Sequence, residues 1–329
     1  MDTHDTQESA MWTVEPLAFR LRSPLHIGWR KVGNLMQTRP YVPAKNVWAA
    51  LTAELARRQA KEGRAAAAQA YQDVGDDVAK SLVFTYLFPA LVVDPAQGID
   101  PALALYPWLT PTGLKYGKDQ LAAETFDYLF LDSYASTAIT VGQNAAETGS
   151  LHETEMLRPR TRPLAGTPLA GSFGAAADEL GVPVYLVGYA LVKGEGPAGW
   201  RGALERLQIG GERRYGWGRI ERAPATAGAE GGVFGYQLAR AAEGRPGLRV
   251  PADRPMLAHA LAADFKGATP VTAVNGPLEP VVGRETDATK KRGFGANLVE
   301  ARVCWAPGTP LSGEQVVAIG KQGIWEGVA

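Results

Sequence analysis

Residues that build disulfide frameworks and metal centres are scarce in this sequence. It contains a single cysteine, Cys304, and four scattered histidines. One cysteine cannot form an internal disulfide, and the histidines do not have the spacing of a zinc site. We therefore expect a protein without a bound metal or other cofactor, in a reducing compartment, the cytoplasm.

Long hydrophobic runs and an excess of charge of either sign are also missing. No uninterrupted apolar segment approaches the thickness of a bilayer, and the first ten residues are acidic and polar, which predicts neither a signal peptide nor contact with a membrane. Lys plus Arg and Asp plus Glu both number 34, so a nucleic-acid surface would have to be a local patch. The P-loop, GxSxG and HExxH motifs are absent, which excludes the enzyme classes that they mark.

Enough apolar residues are present for a large fold. With 329 residues, 46% of them hydrophobic, the chain can form one large or two ordinary domains. Leu17, Phe19 and Leu21 recur at every second position, which predicts a half-buried β-strand. A basic, glycine-containing loop follows, and then a helix whose apolar residues share one face. The candidate RNA-binding cations of this loop are Arg30, Lys31 and Arg39.

The glycine-rich stretch at 207–220, LQIGGERRYGWGRI, carries the strongest functional signal. Glycine allows positive φ and close approach of a ligand, while arginine supplies charge in the same turn. We expect this loop to join a helix to a strand and to hold phosphates. The alternative is a surface turn whose glycine ends a helix and whose arginines are only solvated. The candidate contacts are Gly210, Gly211, Arg213, Arg214, Tyr215 and Gly216.

Two further basic segments lie elsewhere in the chain. Residues 136–173 are polar and have little periodicity, which predicts a projection. Arg158 and Arg160, at alternate positions near its end, would share one side of a strand, either against RNA or on a solvated edge. Residues 223–255 are rich in glycine, alanine and proline, which predicts a domain boundary. A second basic, glycine-containing run follows with Lys290, Lys291 and Arg292.

Aromatic residues accompany two of the basic segments. Trp29 stands beside the first loop, and Tyr215 and Trp217 lie in the glycine-rich stretch, although Trp217 could equally belong to a core. Cations neutralise phosphates and flat rings stack on unpaired bases, so the combination favours single-stranded RNA. His26, beside the first loop, is a candidate general base for attack by a 2′-hydroxyl; the other interpretation is a structural histidine at the end of a strand.

Three segments can be compared with a known family. They are FRLRSPLHIG followed by PYVPAKNVWAALTAEL near the start, SLHETEMLRP in the projection, and ALERLQIGGERRYGWGRI around the glycine-rich stretch. In order and spacing, over residues 14–222, they resemble the RAMP proteins, the repeat-associated subunits of CRISPR effector complexes. The first is similar to that family's first strand, basic loop and helix, the second to its thumb, a β-hairpin that intrudes on the guide RNA, and the third to its helix and glycine-rich loop.

The resemblance implies an α+β fold. It would comprise a ferredoxin-like, RRM-type domain over residues 12–224, with a β-hairpin thumb inserted at about 136–175, and a second, smaller α+β domain over 225–329. The implied partners are CRISPR RNA, other effector subunits and, through the complex, target RNA. In the type III backbone subunits of this family an aspartate in the first basic loop cleaves target RNA, whereas residues 29–40 here include no Asp or Glu.

The residues after the glycine-rich stretch are similar to the second domain of the subunit that caps the complex at the 5′ handle, CRISPR-associated family five. The resemblance thus implies a non-catalytic subunit that grips the 5′ repeat handle and its neighbouring subunits. Two alternatives stay open. One is a metal-independent endoribonuclease that processes precursor CRISPR RNA with His26 as general base, and the other is a backbone subunit repeated along the guide.

Overall fold

The computed structural model describes residues 12–60, 66–226, 232–241, 244–285, 297–320 and 322–328. Lys290, Lys291 and Arg292 lie outside these residues, and their role in binding RNA stays a prediction. The chain has a first part, up to residue 226, that mixes helices and strands, and a second part, from residue 232, that is rich in strands. The mixed α and β composition predicted for the first part is confirmed.

Helices in the first part are few and mostly short. They are α1 (Ala44–Gln59), α2 (Ala68–Ser81), α3 (Ala123–Phe130), α4 (Ala175–Leu180) and α5 (Trp200–Ala203). The strands are β1 (Trp12–Leu21), β2 (Gly28–Val32), β3 (Leu35–Thr38), β4 (Leu82–Phe84), β5 (Phe88–Ala90), β6 (Pro107–Thr110), β7 (Gly113–Tyr116), β8 (Leu121–Ala122), β9 (Leu131–Ser136), β10 (Ile139–Thr140), β11 (Ala145–Ala146), β12 (His152–Leu157), β13 (Tyr185–Lys193), β14 (Arg206–Gln208) and β15 (Arg219–Ala223). Within the described residues, no helix combines the length and apolarity needed to cross a bilayer.

The central sheet of the first part runs in the order β14-β15-β1-β13-β4, with β5 also paired to β13, and neighbouring strands are antiparallel. The sequence of β13 is YLVGYALVK, and all of its residues except the last are buried. A strand that is apolar on both faces must be covered on both faces, which accounts for its central position. Beside this sheet, α1 buries Val47, Leu51 and Leu55 in the core.

A second sheet, ordered β2-β3-β12-β9, joins two of the expected features. The first basic loop is a hairpin, β2-β3, which turns at Gly33, where φ is +59°. The projection is the hairpin β9-β12, called the thumb hairpin below, with β10 and β11 paired beyond it. Its strand pairing begins at Leu131 opposite Leu157, so it starts and ends earlier than the predicted 136–175. Parallel pairing of β3 with β12 fastens the basic hairpin to the thumb hairpin.

The chain approaches the glycine-rich stretch differently from the prediction. The expected helix is limited to the single turn α5, and the chain enters the loop along β14, which pairs with β15. The loop therefore connects two antiparallel strands, and the predicted helix-to-strand connection is wrong. Leu207 pairs with Ile220 and both side chains are buried, a tertiary interaction that overrides the local helical spacing.

The second part is a sheet of seven strands within the described residues, in the order β16-β17-β21-β22-β18-β20-β19. These strands are β16 (Gln237–Arg240), β17 (Pro246–Val250), β18 (Ala260–Leu261), β19 (Leu278–Glu285), β20 (Asn297–Trp305), β21 (Gln315–Ile319) and β22 (Trp325–Gly327). No α-helix occurs among the described residues from 232 onward, so the predicted α+β composition of this part is wrong for them. Its short apolar segments are bounded by glycine and proline, which favours strands over helices.

The two parts share one hydrophobic core. The ring of Phe234, from the second part, lies 4.9 Å from that of Tyr189 and 5.6 Å from that of Phe88, between ring centroids. Separating the two parts would expose these aromatic rings to water at a large cost in free energy. The boundary near residue 225 stays a prediction.

Candidate nucleic-acid interface

A short extended segment, residues 24–27, connects the elements of the candidate interface, and we call it the hub. Its carbonyl groups accept hydrogen bonds from the backbone amides of Gly211, at 2.8 Å, and Gly218, at 2.7 Å. It also exchanges two backbone hydrogen bonds with Leu157, at the end of β12. The hub therefore holds the glycine loop, residues 209–218, next to the thumb hairpin. The amide of Gly211 is used by the protein, so this N–H group is not available to a phosphate, and the predicted RNA contacts of Gly210, Gly211 and Gly216 stay predictions.

Glycine is required where the loop meets the hub. Gly210 and Gly218 have φ of +79° and +77°, which is the left-handed region. A Cβ on Gly210 would overlap the carbonyl oxygen of His26, and one on Gly218 would overlap that of Ile209. Packing within the protein therefore requires glycine at these two positions. Gly216 differs, because only the end of an arginine side chain lies near its position.

The exposed turn of the glycine loop carries Arg213, Arg214 and Tyr215. Tyr215 is 79% exposed. The side-chain amide of Gln208 donates to the carbonyl groups of Arg213 and Trp217, both at 2.9 Å, and so fixes the turn from its inner side. Neither Arg213 nor Arg214 forms a salt bridge within the described part of the chain, so both guanidinium groups can bind phosphate.

The basic hairpin presents further cations beside the hub. All five residues of β2 are exposed. Lys31 has no salt-bridge partner among residues that the structure describes. Arg30 donates from Nε to the side-chain oxygen of Gln37 at 2.7 Å, and its guanidinium lies over the ring of Trp29. Arg30 and Lys31 are exposed, as an RNA contact requires, because both lie on β2 of this hairpin.

An aromatic contact joins the thumb hairpin to the glycine loop. Tyr134, on β9, is 60% exposed and meets Trp217 edge-on, with 6.4 Å between ring centroids. Trp217 is half-buried and lies outside the hydrophobic core. It is therefore a residue of this surface, and the interpretation of Trp217 as a core residue is wrong.

His26 has a structural environment. It is 8% exposed, and its Nδ1 lies 2.7 Å from the carbonyl oxygen of Glu155. A carbonyl oxygen only accepts, so Nδ1 carries the proton. The ring also packs against Gly211 in the glycine loop. His26 thus fastens the hub to β12 and to the loop, which supports the structural interpretation over that of a general base.

Arg39 differs from its predicted role as an exposed RNA contact. Its side chain is 13% exposed, and Nη1 donates to Glu279 at 2.6 Å and to the hydroxyl of Tyr41 at 2.9 Å. Glu279 belongs to β19 of the second part, so this buried ion pair connects the end of the basic hairpin with the seven-stranded sheet. Because Arg39 is buried and paired with a carboxylate, its charge is not available to the phosphate that the sequence analysis predicted.

His259 completes the buried cluster around Glu279. Burial lowers the pKa of His259 from its ordinary 6.5, so the ring is neutral at pH 7. Its Nε2 donates to Glu279 at 3.0 Å, and the hydroxyl of Tyr86 donates to Nδ1 at 2.7 Å. Burial alone would raise the pKa of Glu279, but the hydrogen bond from His259 and the charge of Arg39 outweigh it and lower that pKa.

Arg158 and Arg160 do not lie on one face of an extended strand as predicted. Both follow the last residue of β12, at the base of the thumb hairpin. Arg158 forms a salt bridge with Asp132, which neutralises its charge, and Arg160 donates from Nε to the carbonyl oxygen of Leu180 at 3.0 Å. Arg160 is exposed, so of the two it is the more accessible to a ligand, and the role of both in binding RNA stays a prediction.

The described residues offer anion binding and ring stacking. They include no group of three or more His, Cys, Asp or Glu side chains placed to hold a metal ion. Cations without a salt bridge and exposed rings lie on the three elements that the hub connects, a combination that suits single-stranded nucleic acid. The cations are Lys31, Arg213 and Arg214, and the exposed rings are Trp29, Tyr134 and Tyr215.

Comparisons with known proteins give structural neighbours of low similarity. No family model matches the sequence, and no curated protein matches it. The structure is similar to a chain of the type III-B Cmr-beta complex bound to cognate target RNA, with a TM-score of 0.49 and 10% identity, over 90% of this chain and 86% of that one. A chain of the same complex bound to target RNA and AMPPnP gives a TM-score of 0.48 and 9% identity, over 90% of this chain and 86% of that one. A chain of the complex in its apo state gives a TM-score of 0.34 and 11% identity, over 64% of this chain and 96% of that one.

Proposed function

We propose that this chain is a non-catalytic, RNA-binding subunit of a type III CRISPR effector complex. Its partners are the guide CRISPR RNA, neighbouring subunits and, through the complex, target RNA. The observation that carries the proposal is the hub, which connects the basic hairpin, the thumb hairpin and the glycine loop, the three elements that bear these cations and rings. These are the same three segments whose sequences resemble the RAMP family.

The strand order of the central sheet supports a ferredoxin-like, RRM-type arrangement for the first part. β1 is followed by α1 and then β4, β4 pairs with β13, and β15 returns to the free side of β1. The ferredoxin-like fold has the chain order βαββαβ. In this chain β1, α1, β4, β13, α5 and β15 follow that order, with α5 as a shortened second helix. We propose that the thumb hairpin is the insertion between β4 and β13 that adapts this scaffold to RNA.

We propose that the subunit grips the 5′ repeat handle and does not cleave RNA. Residues 29–40 contain no Asp or Glu, so the basic hairpin lacks the acidic group that cleaving subunits of the resembled family carry there. A role of His26 in processing would require Nε2, the basic nitrogen when Nδ1 carries the proton, to reach a 2′-hydroxyl, but His26 is only 8% exposed. A backbone subunit would use the same surface and would differ in copy number.

Replacing Arg213 and Arg214 with alanine is expected to weaken binding of guide RNA by about 10- to 100-fold at moderate salt, because two phosphate contacts are lost. The slope of log affinity against log salt should fall in magnitude by about 1.4, since each contact to a single strand contributes about 0.7. A salt titration of RNA binding by the full chain measures both quantities.

The matched control removes two exposed cations elsewhere. Lys193 lies at the far end of β13, and Arg240 lies on the outer strand β16 of the seven-stranded sheet. Replacing both with alanine changes the net charge by the same amount and is expected to leave the affinity and the salt slope close to those of the unmodified chain. Equal losses in the two double variants would mean that the glycine loop is not the RNA site.

A further inference from the structure

Trp29 is an exposed aromatic residue with no place in the core. It is 41% exposed on β2, and it is not a buried member of either hydrophobic cluster of the described residues. An exposed indole gains little for folding, because its ring stays in contact with water. Its position on the basic hairpin, directly after the hub, points to a ligand and not to stability.

A β-bulge determines the surroundings of this ring. Gly28 pairs with Thr38 and Lys31 pairs with Met36, so Trp29 and Arg30 together face the single residue between them on β3. In a regular strand consecutive side chains point to opposite faces, whereas a bulge redirects one of them. The bulge thus allows Arg30 to lie over the ring of its own neighbour, with 4.0 Å from Cζ to the ring centroid.

The cations beside the ring are fixed before any ligand arrives. Arg30 is held by Gln37, and Arg39, whose Cζ lies 5.9 Å from the Trp29 ring centroid, is held by Glu279. Side chains already ordered by hydrogen bonds lose little entropy on binding. The seven-stranded sheet therefore contributes to the geometry of the basic hairpin through the ion pair between Arg39 and Glu279.

We propose that Trp29 is a stacking platform for one unpaired base of the bound RNA, positioned by Arg30 and Arg39. The inference rests on the proposed function and assigns a base to one residue of that surface. Lys31 follows on the same strand and is exposed, so it can neutralise the adjoining phosphate. Stacking tolerates any base, because every base has a π-face.

A double-mutant cycle, which combines substitutions in the full chain with abasic positions in the RNA, tests the platform. Trp29→Ala is expected to weaken binding of single-stranded RNA of the repeat sequence by about 10-fold, the effect of one stacked base, and Trp29→Phe should keep most of the affinity. The same RNA is then used with one abasic nucleotide at each position in turn. At one position the abasic RNA should bind the unmodified chain weakly and lose nothing further with Trp29→Ala. Running the cycle separately on the guide and target strands identifies which one supplies the base.

Val32→Ala is the matched control, because Val32 is 55% exposed on the same strand; it should bind as the unmodified chain does. Unchanged affinity of Trp29→Ala, or an equal loss with abasic RNA at every position, would overturn the platform. Loss of a co-purifying subunit with RNA affinity intact would overturn it in favour of a protein contact. The double variant of Arg213 and Arg214 is measured in parallel: if it alone weakens binding, only the platform fails, and if neither variant does, the proposed function fails.

Discussion

Replacing Glu279 with alanine is expected to lower the free energy of unfolding by about 3 kcal/mol, because it leaves Arg39 as a buried cation without its carboxylate. The two side chains are 13% and 14% exposed and lie 2.6 Å apart, so water screens the pair little. The substitution also removes the acceptor of the His259 hydrogen bond. Chemical denaturation of the full chain at pH 7 measures this effect.

The exposed pair of Arg249 and Glu314 provides the control. Its side chains are 50% and 55% exposed, so Glu314→Ala is expected to cost less than about 1 kcal/mol. The effect of Glu279→Ala should also depend on pH. The pKa of Glu279 is lowered in the folded chain from its ordinary value of 4.5. Its contribution to the free energy of unfolding is therefore present above pH 4.5 and is lost as the pH falls below that value. The same loss at pH 7 in both variants would contradict a buried pair.

Replacing Gly218 with alanine is expected to lower the free energy of unfolding by about 3 kcal/mol. Its φ of +77° alone costs an L-residue about 1–2 kcal/mol, and the new methyl group would overlap the carbonyl oxygen of Ile209. Relief requires movement of the loop, whose Gly218 amide is bound to the hub at 2.7 Å. Denaturation and RNA affinity should therefore change together.

Gly216→Ala is the matched control for this prediction. Its φ is +82°, but the nearest group to an added methyl is the guanidinium of Arg219 at 3.7 Å. Only the backbone preference is lost, at about 1 kcal/mol. Equal destabilisation by the two substitutions would mean that backbone preference, and not docking onto the hub, determines the need for Gly218.

Local patterns in the sequence identify the parts of the interface but not how they meet. The alternation of Leu17, Phe19 and Leu21 correctly predicts β1, and the composition of residues 207–220 correctly predicts an exposed loop with Arg213 and Arg214. The docking of that loop onto the hub could not be predicted, because it depends on hydrogen bonds between segments almost 200 residues apart. The error at β14 has a local cause, because its partner β15 begins only 11 residues after Gln208 and the helical spacing before the loop concealed this hairpin.

The buried cluster is the clearest example of information that a local pattern does not contain. Arg39 has the sequence environment of an exposed basic loop, and only a carboxylate 240 positions later removes it from the surface. His259 and Glu279 stand in segments without any motif, so sequence reasoning missed both. Tyr134 was missed for a related reason: its contact with Trp217 requires the thumb hairpin to lie against the glycine loop.

Native mass spectrometry of the tagged chain purified from its own host, with sequencing of the RNA that accompanies it, tests the central claim most directly. The account predicts one copy of the chain in a large particle whose RNA has a uniform, repeat-derived 5′ end. Several copies per particle would contradict the role at the 5′ handle and indicate a backbone subunit. A free monomer without RNA would contradict the assignment of this surface to guide RNA.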